Sequence, residues 1–181
     1  SYNFYSLLAE LAFRFEAIED ASVFYRNLYG EAGAETPERS HPAMLAHLME
    51  YFDIPLAIDF PALHPLEKAY LNNRIRCVRH TDVAWGLALL YAVESVSCVN
   101  HRRIYELLQR LEVPEGPSEF HRLHGTQDEI DTEEMWALIA KFASDEGFQR
   151  MFMRALKRHF EINKAYFDSL WQQMQEQRLP A

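Results

Sequence analysis

Cysteine, basic charge and long apolar runs are all scarce in this chain. Its two cysteines, Cys77 and Cys98, form no CxxC pair. They suggest no disulfide framework and fit a reducing cytoplasm. Lys and Arg number 18 against 27 Asp and Glu, for a formal net charge of −9, with a pI near 5.3. A protein that binds nucleic-acid phosphates needs the opposite excess. No basic amphipathic stretch is present for an anionic membrane surface. The longest uncharged run, 83–93, stops at Glu94, and neither a secretory signal nor a transmembrane span is visible. The expectation is a cytoplasmic protein with no nucleic-acid and no membrane partner.

What is present is helical. Hydrophobic residues make up 49% and aromatics 13% of 181 residues, enough for one domain with its own core. The six glycines sit mostly at breaks, and the apolar spacing is helical almost throughout. It predicts a first helix over about 2–29, interrupted near Asp20 to Ser22. The stretch "YGEAGAETPERSHP" breaks it, and Ser40 and Pro42 open a second helix to about Phe52. "DIPLAIDFPALHP" reads as a loop, and a third helix follows over about Leu66 to Arg79. Thr81 or Asp82 caps a long helix to about Leu111, which "EVPEGP" stops. Two more helices cover about Ser118 to Phe142 and Phe148 to Gln177. No stretch alternates as a strand. The fold class is all-α, a compact six- to seven-helix bundle.

One glutamate is out of place. Between Ala84 and Val99 the only charge is Glu94, on a helix apolar all round and therefore central. A buried carboxylate is costly unless it is protonated, paired with a basic side chain, or bound to a cation. Elsewhere, "EFHRLHGTQDEID" places His124, Asp128 and Asp131 at i, i+4 and i+7, on one helical face. Glu31 and His41 flank the glycine-rich break. Carboxylates and imidazoles together suit iron, manganese or zinc, and dinuclear sites in bundles are built from Glu and His on facing helices. The plainer readings are an ion pair for Glu94, a solvated face for His124 and Asp128, a loop position for Glu31 and a helix start for His41.

The segments "FYRNLYGEAGAETPERSHPAMLAHLMEYFDIP", "WGLALLYAVESVS" and "SEFHRLHGTQDEIDTEEMW" resemble the heme-oxygenase-like diiron oxidases and oxygenases. The likeness runs from about Val23 to Trp136, and the tail "RALKRHFEINKAYFDSLW" is similar to that family's closing helix. The resemblance implies that residues 1–181 form a single heme-oxygenase-like domain. It implies metal ligands at Glu31, His41, Glu94, His124 and Asp128, with Glu94 and His124 central to catalysis. The last position of the H-x3-D-x2-H motif departs, because Asp131 stands where the family usually has His; His121, about 60° around the helix from His124, is the alternative. It further implies two Fe(II) per chain, O2 as co-substrate, an electron donor, and oxidation of an amino acid, amine or fatty acid in natural-product biosynthesis. A homodimer is common in this fold.

Tyr91 and Trp85 are candidate pocket walls, and Lys68, Arg74, Arg76 and Arg79 candidate substrate anchors. Three other readings stay open. A metal-free enzyme of the same fold, similar to thiaminases or quinone-cofactor synthases, would use Cys98 or histidines. A non-catalytic binding bundle would pair Glu94 with a basic residue and turn the His/Asp face to water. A heme protein would use His41 or His47 as axial ligand.

Overall fold

The computed structural model describes residues 4–55 and 63–178. Seven α-helices are present among them, with no strand: α1 (Phe4–Ala12), α2 (Ile18–Glu31), α3 (His41–Tyr51), α4 (Pro65–Val78), α5 (Ala84–Arg110), α6 (Glu115–Ala140) and α7 (Glu146–Arg178). The all-α expectation holds. Most of "DIPLAIDFPALHP" (56–62) lies outside the described residues.

Helix α5 is the axis. Its first half is buried through Ala84, Leu87, Ala88, Leu89, Leu90 and Ala92, and it packs along α6 and α7 and against α4. Around it Leu7, Leu8 and Leu11 of α1, Phe24 of α2, Met135 and Leu138 of α6 and Phe152 of α7 close one apolar core. An apolar helix wrapped on all sides is what the near-absence of charge in 84–99 requires.

Two boundaries differ from the expectation. The first helix breaks at 13–17, not at Asp20 to Ser22. Tertiary contacts decide this. Arg14 donates to the carbonyls of Val78 (2.9 Å) and Thr81 (2.7 Å), and Phe15 stacks on Phe24 with centroids 5.2 Å apart. Ser22 stays helical by donating to the Glu19 carbonyl at 2.7 Å. Helix α6 starts inside "EVPEGP", at Glu115, because Pro117 falls in the first turn, where a missing N–H costs nothing. The Asp82 carboxylate accepts from the N–H of Ala84, the first residue of α5, at 2.9 Å, while the cap position itself falls on Val83.

The turn from α2 to α3 sets the position of two site residues. Glu31 ends α2 and His41 starts α3. Gly33 reverses the chain with φ +85°, and a Cβ there would lie 2.4 Å from the Thr36 carbonyl oxygen and 2.5 Å from the Ser40 nitrogen. Only glycine fits both the angle and the space. Gly30, in helix α2, has nothing within 4 Å of a built Cβ. Gly33→Ala therefore lowers the melting temperature by roughly 3–8 °C, from a strain of about 1–3 kcal/mol. Gly30→Ala leaves it unchanged or raises it by about 2 °C, because alanine is the better helix former. Thermal denaturation of the two variants side by side checks the pair.

Candidate metal centre

All six residues expected from the sequence converge. Glu31 comes from the last turn of α2, His41 from the first residue of α3, and Glu94 from the middle of α5. His124, Asp128 and Asp131 come from one face of α6. Glu94 is 4% exposed and Asp128 1% exposed. The donor atoms fall into two triplets that share no residue, Glu31–His41–His124 and Glu94–Asp128–Asp131, each with its atoms within 4.8 Å of one another. The pair His124–Asp128 joins them, its Nδ1 to Oδ1 distance being 2.5 Å.

A third triplet, His101–His124–Asp128, brings in a residue the sequence reading missed. His101 lies on α5 at i+7 from Glu94, two turns along the same face, and that spacing was the available signal. Its ring stacks on His124 with centroids 4.7 Å apart. His121, the alternative to Asp131, turns instead to His101, with 2.6 Å between their Nδ1 atoms, and belongs to none of the three triplets. Phe120 wedges edge-on against His41, His101 and His124 and fixes their ring planes.

No Lys or Arg is ion-paired with Glu31, Glu94, Asp128 or Asp131 among the described residues. Among the described residues the Glu31 carboxylate is ion-paired only with His41, at 3.0 Å. Glu94 accepts from Asn27 Nδ2 at 3.5 Å, and Asp131 accepts from Gln127 Nε2 at 3.2 Å. The buried ion pair and the solvated His/Asp face expected of a non-catalytic bundle are therefore both missing from this region. Burial pushes the Glu94 acid well above the usual carboxylate range, and Asp128, Asp131 and Glu31 push it the same way. Burial likewise raises Asp128, against its bond to His124. Burial opposes charge on His124, but the hydrogen bond and charge of Asp128, with Glu31 and Asp131, outweigh it and raise its pKa. Burial and the neighbouring imidazoles hold His101 down to about 3 and His121 down to about 4, so both stay neutral.

These residues suit a metal. His124 Nε2, Asp128 Oδ2 and His41 Nδ1 are buried without a hydrogen-bond partner; the last approaches Glu31 but not in bonding geometry. Native proteins seldom leave such atoms unsatisfied. In the tautomer with His124 Nδ1–H donating to Asp128 Oδ1, the neutral imidazole keeps its Nε2 lone pair and Asp128 keeps Oδ2, the arrangement that orients ligands in metal sites. Four carboxylates with imidazoles match first-row divalent ions, iron among them.

Of the other candidates, Arg74 lines a cavity of about 210 Å³ beside the cluster, together with Tyr70, Phe4 and Leu45. Arg79 is bound to Glu10 through two contacts of 2.8 and 2.7 Å. Tyr91 packs on Trp136 and Phe152, and Trp85 lines a different cavity with Arg76. The buried Cys98 thiol lies 3.5 Å from the Gly125 carbonyl oxygen, against which it is set as a donor, and its pKa is raised, first by burial. That suits a packing role, not a nucleophile.

Burial, then Asp128, Glu134 and Glu31, raise Asp131 from 3.8 to about 6, against the Gln127 hydrogen bond. Between those values the folded metal-free chain holds a proton that the unfolded chain has released. The stability from this group is full at low pH and is lost as pH rises to about 6. Asp131→Asn escapes that loss. In the presence of a chelator its melting temperature, relative to the parent, rises between pH 4 and 6 by roughly 2–6 °C and is level above. A difference that stays flat across this range rules the assignment out.

The chain matches the family described as iron-containing redox enzymes over residues 1–163. No curated protein matches it. No helix among the described residues is long and apolar enough to cross a membrane. A match over most of the chain, on a helical bundle that brings acids and imidazoles together at its centre, makes this protein a member of the iron-containing redox enzyme family.

Proposed function

We propose that the protein is a non-heme diiron oxygenase or oxidase that uses O2 to oxidise a small organic acid. The observation that carries this reading is the pair of donor triplets sharing no residue. Glu31, His41 and His124 would hold one ion, and Glu94, Asp128 and Asp131 the other. Two ferrous ions held there would supply electrons and open coordination positions for O2.

The rest of the work falls to the chain. Four carboxylates offset the charge of two divalent ions. Protons held on Glu94, Asp128 and Asp131 must leave as metal enters, so binding strengthens as pH rises. Asn27 and Gln127 orient the carboxylates of Glu94 and Asp131 from outside. Phe120, Phe4, Leu45 and Val93 give the adjoining cavity its apolar wall.

Arg74 supports the choice of an acid substrate. Its guanidinium carbon sits 5.4 Å from the Phe4 ring centroid and 5.7 Å from that of Tyr70, so two aromatic faces hold it at the cavity. Its Nε is buried and has no partner. A planar fork held in this way suits a carboxylate. Amino acids and fatty acids carry one; a simple amine does not.

Anaerobic Fe(II) titration of the apoprotein is expected to give about two irons per chain, and Glu94→Ala or His124→Ala about one or none. Unchanged stoichiometry in both variants sinks the metal assignment. A separate screen follows O2 consumption with amino acids and fatty acids beside their amides. Free acids are expected to stimulate it, and Arg74→Leu to raise their KM by roughly 10- to 100-fold with a smaller change in kcat. Equal stimulation by the amides removes Arg74 from substrate recognition.

A further inference from the structure

A second cavity has no part in the iron site. It has a volume of about 580 Å³ and lies between α4, the start of α5 and α7, a size suited to a small-molecule ligand. Its walls are two helical rows. On α4, Asn73 and Arg76 lie at i and i+3, and on α7, Arg154, Lys157 and Arg158 lie at i, i+3 and i+4. Each row therefore presents its residues on one face.

The charge of this cavity opposes that of the chain. Four cations line it against a single carboxylate, Glu161, in a protein of net charge −9. Glu161 reaches only Lys157, at a loose 3.9 Å with both side chains exposed. Arg76, Arg154 and Arg158 have no carboxylate partner among the described residues. Like charges at i, i+3 and i+4 on one helix repel, and among the described residues only the loose Lys157–Glu161 contact offsets that repulsion. Arg76 and Arg158 both act on Cys77, whose buried thiol lies between the rows; burial pushes it up to about 11, and the two guanidiniums pull against that.

Two buried donors in the cavity wall are also left without partners. Asn73 is 6% exposed, and its Nδ2 has no hydrogen-bond partner. The Trp85 Nε1–H, also in the wall, is buried and unpartnered too. Both are donors, and every cation around them is a donor. A native fold seldom strands buried donors without acceptors. A wall with this excess of cations and donors favours an acceptor-rich, negatively charged ligand, and the Trp85–His80 pair, stacked at 4.7 Å, offers an aromatic wall to the body of the ligand.

We propose that this cavity binds a phosphorylated small molecule, with Arg76, Arg154 and Arg158 on its phosphate oxygens and Asn73 beneath them. Charge-assisted contacts from several guanidiniums to a di- or triphosphate are the strong form of this recognition. The binding is independent of the iron site, because none of the six candidate ligands lines this cavity.

The test uses inorganic pyrophosphate at fixed ionic strength, with chloride and succinate as comparison anions. The signal is Trp85 emission in a Trp136→Phe, Trp171→Phe background, since those two exposed indoles complete the set of three. Pyrophosphate is expected to give a saturable change and to raise the melting temperature. The double variant Arg76→Gln, Arg158→Gln is expected to weaken binding by about tenfold or more, and Asn73→Asp to do likewise by placing a carboxylate against the anion. Glu94→Ala keeps the response, which separates this site from the diiron reading. No saturable response, an equal response to succinate, or an affinity unchanged in the double variant overturns the proposal. Should circular dichroism show the double variant unfolded, Arg154→Gln alone, on the exposed side of α7, decides by the same measurement.

Discussion

Three buried carboxylates and a fourth half-buried one, gathered with no Lys or Arg paired to any of them among the described residues, are the constraint around which this bundle is organised. Glu94, Asp128 and Asp131 lose hydration, and the neighbouring carboxylates, Glu31 among them, raise the cost of ionising them. In the metal-free chain the conflict is relieved by protons and by the imidazole of His124. A divalent cation relieves it more fully, because one ion answers several carboxylates at once. The cluster is thus poorly suited to being an inert core, and it fits the iron-containing redox enzyme family to which the chain belongs.

Holding such a cluster needs a stiff frame. Helix α5 supplies it, with an apolar first half buried among α1, α4, α6 and α7 that carries Glu94 into the middle. Gly33 supplies the second part, by folding the end of α2 onto the start of α3 so that Glu31 and His41 arrive together. Phe120 and the neutral pair His101 and His121 complete the packing around the rings. The frame spends backbone freedom and buried volume on geometry, the usual requirement of a preorganised centre.

The charge distribution has a matching asymmetry. Acidic groups gather where α2, α3, α5 and α6 meet, and basic groups gather where α4 faces α7. Helix α4 serves both, with Arg74 turned to the acidic side and Arg76 to the basic cavity. Two residues apart on a helix, they point roughly 160° away from each other. Net charge conceals this: an overall −9 excludes a general polyanion binder and says nothing of one local cavity.

The sequence by itself determined the helical class, most helix ends, the burial of Glu94 and the shared face of His124, Asp128 and Asp131. All of these follow from local rules, namely the 3.6-residue period, caps and prolines, and the cost of a lone charge in an apolar run. The break at 13–17 was not legible, because Arg14 and Phe15 act through partners in other helices. The entry of His101 into the cluster, the turning of His121 away from it, and the meeting of Arg76 with Arg158 were also beyond local rules. Each depends on which face of one helix meets which face of another, and the period of a single helix does not carry that. Only the packing of α5 on α6 and of α4 on α7 decided which charges share a cavity.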